Sequence, residues 1–273
     1  MSYFLQHKHS NLWHGKFSVF PENLVIHAIS SRQGGKSQKP YDSLNLGLHV
    51  DDDPETVWEN RLLFASSLGL RAEDIVTPQQ IHGAQVVRVY AEDAGRGARC
   101  YGEAVPETDA LITNVPGLPL MLCFADCTPI MFFDPEHGAA GIAHGGWKGT
   151  VARIAKLTIE AMQKEFHTNP LECLAGIGPS IGPCCYEIGS EVAEKFRQAF
   201  PLSIERILLS KNGKIYLNLW EANRIQLLEA GMKEENIELS NTCTSCENSW
   251  YFSYRADGKK TGRIAAMIAV RKY

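Results

Sequence analysis

The chain has 273 residues, 44% of them hydrophobic and 21% charged, with a formal net charge of -4. That length can bury a large core, and the slightly acidic balance gives no electrostatic case for a nucleic acid or an anionic membrane as partner. Eight cysteines, with no apolar run of signal-peptide length near the start, read as thiols or metal ligands rather than a secreted disulfide framework, so a cytoplasmic protein is expected.

Residues 1–15 carry His7, Lys8, His9 and His14 without apolar periodicity and are expected to fray. A strand predicted over 24–30 runs into Ser31-Arg32-Gln33-Gly34-Gly35. Gly-Gly lets backbone amides approach an anion, and Arg32 could hold phosphate through paired hydrogen bonds, although such a loop is more often an ordinary turn. In 41–49, Asn45 and His49 are candidates for facing a ligand; a satisfied loop Asn and a packed His are the plainer alternatives.

Asp53-Pro54 opens a predicted helix, with Val57, Leu62, Leu63, Ala65 and Leu68 as its apolar face and Gly69 after its last turn. Strands follow at 75–76 and 84–90, around Pro78-Gln79-Gln80-Ile81-His82-Gly83. The polar, Gly-rich 91–108 reads as a surface excursion.

Residues 109–150 hold the chemistry. Apolar runs at 109–114, 118–124 with 130–133, and 139–144 are strand-like and bounded by Pro, Gly or Asp. Cys127 in Ala-Asp-Cys-Thr-Pro and His144 in Ala-His-Gly-Gly-Trp stand where those runs stop. Reactive groups belong on loops held by a rigid sheet, so this is the expected active centre. A helix is predicted to continue from Trp147-Lys148 through 162. A strand over 171–177, a rigid turn Gly178-Pro179-Ser180-Ile181-Gly182-Pro183-Cys184-Cys185, helices over 190–199 and 219–230, Cys243-Thr244-Ser245-Cys246 and a last strand over 263–270 complete the chain. No repeat or linker composition divides it, so one α/β domain over 1–273 is expected.

His82, Cys127 and His144 each fall at a strand end beside Gly or a small polar residue. Two imidazoles and a thiolate are a usual catalytic zinc set, because they leave one tetrahedral position for water or substrate. Their separation in the chain matches no compact zinc motif. A metal-free Cys127 nucleophile activated by His144 is physically as good, since such pairs meet in space rather than in sequence. Cys243 and Cys246 are a single C-x-x-C, weak evidence for zinc or redox work; without a second pair, a structural or incidental role is expected. A multicopper oxidase needs several His-x-His pairs and a His-Cys-His run; the chain has one His-x-His, His7-Lys8-His9.

Read together, Ser31-Arg32-Gln33-Gly34-Gly35, Ser43-Leu44-Asn45-Leu46-Gly47, Gln80-Ile81-His82-Gly83, Ala125-Asp126-Cys127, Ala143-His144-Gly145-Gly146-Trp147-Lys148-Gly149, Gly178-Pro179, Cys185-Tyr186-Glu187 and Ser253-Tyr254-Arg255 resemble the bacterial laccase-domain family. Its members are described as polyphenol oxidases, peptidoglycan editing factors or purine nucleoside phosphorylases. The resemblance implies mixed sheets layered with helices, a fold compared with a deamidating-toxin cysteine hydrolase. It also implies a Zn2+ ion, with Cu2+ as the alternative, on His82, Cys127 and His144. The implied reactions are phosphorolysis of adenosine, inosine, guanosine and S-methyl-5'-thioadenosine, and hydrolytic deamination of adenosine. The partners are then purine nucleosides and phosphate, on a monomer or a homodimer.

Three positions depart from the pattern: Ser31 stands for Thr, Gly145 for Ala and Lys148 for Arg. The last matters most, since Lys is a point charge without bidentate anion recognition. Asp126 is the expected proton-moving acid, with orientation of a ligand as its other reading. Arg32, Lys148 and Arg255 are the cations expected to serve phosphate. Editing of mis-made UDP-MurNAc-amino acid precursors by amide hydrolysis, copper-dependent oxidation of phenols, and a non-catalytic metal-binding interaction protein are the alternatives.

Overall fold

The computed structural model describes residues 3–7 and 12–272. In chain order these form strands β1 (Phe4–His7), β2 (Trp13–Lys16) and β3 (Val25–Ser30), helix α1 (Pro54–Ser67), and strands β4 (Val86–Arg88), β5 (Ala110–Thr113), β6 (Leu120–Phe124), β7 (Thr128–Asp134) and β8 (Ala139–Gly145). Then come α2 (Trp147–Val151), α3 (Ile154–Phe166), β9 (Leu174–Ile177), β10 (Glu187–Ile188), α4 (Ser190–Ala199), α5 (Ile204–Ile207), β11 (Leu208–Lys211), β12 (Lys214–Leu217), α6 (Leu219–Glu229), β13 (Ile237–Leu239) and β14 (Ile264–Val270).

Alternation along the strands sorts them into four layers. In β14, Ile264, Ala266 and Ile268 face one core while Ala265 and Met267 face another; in β6, Leu120, Leu122 and Phe124 oppose Met121 and Cys123 in the same way. These strands belong to a five-stranded sheet ordered β1-β2-β3-β14-β6. Its inner face packs on Met131, Phe133, Ala140 and Ile142 of a six-stranded sheet ordered β13-β9-β7-β8-β5-β4. Its outer face is covered by Phe64 and Ala65 of α1. The far side of the six-stranded sheet, with Ile112, Ile130 and Phe132, is covered by Ile154, Ile159, Met162 and Phe166 of α3. The fold is therefore helix, sheet, sheet, helix, with the strands buried on both faces, which is why the central runs read as continuously apolar. A small sheet, β10-β12-β11, lies with α4, α5 and α6 around a fourth apolar cluster.

The expected α/β layering is present, with four corrections. Within the segment expected to fray, β1 and β2 are paired in register and joined to β3, because their hairpin completes the edge of the first sheet. Lys8 and His9 lie outside the described residues. The buried face of α1 is Val57, Asn60, Arg61, Phe64 and Ala65, and Leu62 is exposed. The helix expected from 147 to 162 is broken: Arg153 takes a left-handed φ of 70° between α2 and α3. The break lets α2 serve the site while α3 lies on the sheet. Finally, the hairpin of β11 and β12 was missed although it turns on Asn212-Gly213, both at positive φ, a strong hairpin signal.

Arg61 ties the outer layer to the loops beyond it. Its Nε donates to the Leu46 carbonyl at 2.9 Å and its Nη1 to those of Gly97 and Ala98 at 2.7 Å each, in a fully buried setting. These loops lead to His49 and Tyr101. Arg61→Met, which keeps the stem, orphans the Gly97 and Ala98 carbonyls and leaves that of Leu46 only the weak Cys123 thiol donor, is expected to lower unfolding free energy by about 3 kcal/mol in urea titration. A change below about 1 kcal/mol would show that the guanidinium holds nothing there.

Candidate metal centre

The site stands at one end of three adjacent strands. Pairing of β7 with β8 sets Pro129 opposite His144 and Thr128 opposite Gly145, which brings Cys127, just before β7, beside His144 at the end of β8. Pairing of β8 with β5 sets Ala143 opposite Ala110, and the His144 amide donates to the Asp109 carbonyl at 2.8 Å. His82 arrives on the loop before β4. Cys127 follows the connection in which the chain leaves one sheet for the other, with Asp126 at a φ of 82°.

Asp109 joins these parts. It is fully buried, and its Oδ1 lies 2.8 Å from His144 Nδ1. The same carboxylate accepts the amides of His82 at 3.0 Å, Gly83 at 2.6 Å and Ile81 at 3.3 Å. Burial pushes this carboxyl up, but the bond to His144, its charge and the backbone amides outweigh that and hold the group below the usual range. With Nδ1 committed, His144 turns Nε2 to the site, an orientation found in metal-bound histidines.

Ligand atoms of His82, Cys127 and His144 all lie within 4.8 Å of one another, so the three predicted residues can hold one metal ion. Gly146 closes the trio: a Cβ there would stand 3.1 Å from Cys127 Sγ and 3.2 Å from His82 Cδ2. Burial pushes the Cys127 thiol up, yet the His144 and His82 imidazoles reverse this and bring it down to about 6. Burial pushes His144 down, and the Cys127 sulfur and Asp109 carboxylate raise it to about 9. In the metal-free protein these two groups form a thiolate–imidazolium pair, poised to exchange protons for a cation.

The trio opens into a cavity of about 620 Å³, whose lining includes Tyr101, Asp126, Tyr186, Tyr254, Arg255 and Arg263. His49, Trp147 and Lys259 also reach it. Of the predicted ligand-facing residues, His49, Asp126 and Arg255 are therefore on the cavity, and three others are not. Arg32 donates to the carbonyls of Asn248 at 2.7 Å and Asp42 at 3.1 Å, pairs with Asp257 at 3.3 Å and lies over the Phe252 ring. Its donors hold the loop that carries Arg255, so it does not face the cavity. Asn45 is fully buried, its Oδ1 accepting the amides of Gly47 and Arg263 and its Nδ2 donating to Asp52. Lys148 is exposed on α2, near the Trp147 ring.

Asp126 accepts the Thr244 hydroxyl at 2.7 Å and the Arg255 amide at 2.7 Å, one on each oxygen. With both oxygens engaged, Asp126 is placed as a positioning group rather than as the proton-moving acid expected from the sequence. The reading from sequence missed Asp109, Gln80, Arg263 and Lys259. Gln80 pairs both ways with the Cys123 backbone at 2.9 Å and fixes the His82 loop to β6. Asp109 could have been found as the only carboxylate opening the strand-like run 109–114.

Residues 26–271 match the family described as multi-copper polyphenol oxidoreductase laccase. The chain belongs to that family. Among similar family proteins, purine nucleoside phosphorylase YlmD of Geobacillus stearothermophilus is 41% identical over 249 residues, 91% of each chain. Adenosine deaminase RL5, from an unknown prokaryotic organism, is 35% identical over 240 residues, 87% of this chain and 91% of its own. The crystal structure of YlmD from Geobacillus stearothermophilus shares the fold with a TM-score of 0.93 at 38% identity, covering 98% of this chain and 99% of that one.

Two measurements probe the centre. In metal-free protein the Cys127 thiolate fills as pH rises through about 6, so alkylation by iodoacetamide should show its midpoint there. A midpoint at the ordinary thiol value of about 8.5 would contradict the pairing with His144. Asp109→Asn should weaken metal binding about 10–100-fold in chelator competition, and an unchanged affinity would remove Asp109 from the centre.

Proposed function

We propose that the protein is a zinc-dependent purine nucleoside enzyme. It cleaves adenosine, inosine, guanosine and S-methyl-5'-thioadenosine with phosphate, giving the base and ribose 1-phosphate or its methylthio analogue, and it deaminates adenosine to inosine. The observation that supports this most is a His-Cys-His donor set on the wall of a cavity of nucleoside size, with cations and aromatic rings beside it. The similar proteins named as a nucleoside phosphorylase and an adenosine deaminase agree with it.

The residues fit a zinc ion. Two imidazoles and a thiolate converge, the second nitrogen of His144 is held by a buried carboxylate, and Gly146 leaves the space free of a side chain. When bound, such an ion supplies Lewis acidity and an activated water at neutral pH. His82, Cys127 and His144 would hold it, and Asp109 fixes two of those three by one carboxylate.

The rest of the chemistry belongs to the cavity. Arg255, Lys259 and Arg263 come from one segment of chain and provide the positive wall for phosphate, in place of Arg32 and Lys148. Arg255 is aimed by its own bonds to the carbonyls of Cys185 and Glu187 at 3.2 Å each, with its guanidinium over the Tyr186 ring. Trp147, Tyr186 and Tyr254 offer faces on which a purine can stack. Asp126 keeps the Cys127 turn and the Arg255 backbone in register through its two hydrogen bonds.

One observation favours a second reading. The Cys127–His144–Asp109 chain has the order of a thiol nucleophile, its base and the base's orienting carboxylate. Amide hydrolysis of a mis-made UDP-MurNAc-amino acid would use it, in keeping with the comparison to a deamidating-toxin fold that the family resemblance implies. The copper oxidase reading lacks its donors: among the described residues the potential metal-holding groups are this trio and a cluster of four cysteines, with no array of paired histidines.

Zinc-loaded protein incubated with adenosine should release adenine and ribose 1-phosphate only when phosphate is present, and inosine with or without it. Absence of both products, or amino acid release from the cell-wall precursor alone, would overturn the proposal. Arg263→Gln is expected to raise the KM for phosphate by about tenfold or more while deamination persists. Folded Arg32→Ala should keep its phosphate dependence.

A further inference from the structure

Four cysteines outside the centre have no part in the chemistry above. Cys184 and Cys185 lie on the loop that leaves β9, and Cys243 and Cys246 on the loop that leaves β13. Because β9 and β13 are parallel neighbours, both loops depart from the same end of the sheet, and an isolated bridge between Ser180 and Cys243 extends the pairing. The four sulfurs consequently lie within 4.8 Å of one another.

The arrangement serves all four atoms rather than a pair. Cys246 Sγ is 3.5 Å from Cys184 Sγ and 3.4 Å from Cys185 Sγ. All four are free thiols, and these separations are well beyond the roughly 2.05 Å of a disulfide bond. Zinc–sulfur bonds of about 2.3 Å at tetrahedral angles set sulfurs about 3.8 Å apart, close to what is seen. The Gly182 amide donates to Cys243 Sγ at 3.2 Å, the backbone support that a thiolate ligand receives. A Cβ on Gly182 would stand 2.6 Å from the Trp220 ring and would also crowd the Cys243 Cβ at 3.1 Å and Cys184 Sγ at 3.2 Å, so a side chain here would press on the turn beside the sulfurs.

We propose that Cys184, Cys185, Cys243 and Cys246 form a second, structural zinc site that clamps together the two loops walling the cavity. All four positions are taken by protein, so the ion has no open face and binds with release of thiol protons to solvent. The clamp acts on the cavity through its neighbours. Ile181 and Tyr186, on the first loop, line the cavity; Thr244, on the second, bonds Asp126; and the Cys185 carbonyl receives Arg255.

The test uses full-length Cys127→Ala protein, in which the catalytic set is broken, loaded with zinc and dialysed. One equivalent of zinc per chain is expected, with X-ray absorption showing four sulfur neighbours at about 2.3 Å. Adding Cys184→Ser and Cys246→Ser should abolish that equivalent; if this variant does not fold, the stoichiometry and sulfur count of Cys127→Ala alone decide. In wild-type protein, a chelator strong enough to remove both ions should speed proteolysis within 178–187 and 240–257, beyond the effect of losing the catalytic ion in zinc-loaded Cys127→Ala. Absence of a stoichiometric ion in Cys127→Ala overturns the proposal, as do nitrogen or oxygen ligands, iron in zinc's place, or a disulfide among these cysteines in freshly purified protein.

Discussion

The centre depends on one buried carboxylate. Asp109 receives the His144 ring on one oxygen and the backbone of Ile81, His82 and Gly83 across both, so a single side chain sets the positions of two ligands that the sequence holds far apart. Its charge also makes the imidazolium of His144 favourable in the metal-free protein, and that imidazolium in turn keeps Cys127 a thiolate. Replacing the carboxylate would loosen the geometry and the charge balance together.

The fold explains why such a centre can exist without a local motif. Strands β7, β8 and β5 are neighbours, and their common end delivers Cys127, His144 and Asp109 as a chain in which His144 stands between the other two and Asp109 also holds the His82 loop. The same principle operates at the edge of that sheet, where β9 and β13 deliver two pairs of cysteines. One cluster opens on the cavity and the other is closed by its own four sulfurs, the distinction between a centre that can bind substrate and one that can only hold structure.

Much of this was legible in the sequence, for identifiable reasons. Continuous apolar runs mark β6, β7 and β8, because strands covered on both faces lose the polar half of the alternation. His82, Cys127 and His144 were found from their place at strand ends and from family motifs. Arg32 was expected to face phosphate because a Gly-Gly loop with an arginine looks the same in sequence whether the guanidinium faces a cavity or, as in this structure, bonds backbone carbonyls. Arg61 was missed because an apolar count treats a buried arginine as a gap in the stripe. The four-cysteine cluster was out of reach, since Cys243-x-x-Cys246 meets Cys184-Cys185 through a parallel strand pair that no spacing records.

In the proposed centre, His82, Cys127 and His144 share one ion and leave it a face toward the cavity. Anomalous difference density from crystals of zinc-loaded protein, collected at the zinc edge, addresses this sharing directly. A peak about 2.0–2.3 Å from one nitrogen of each of His82 and His144 and from Cys127 Sγ, exposed to the cavity, is the expected result. No peak at that point in zinc-replete crystals, or one bonded to fewer than three of these residues, would contradict the account.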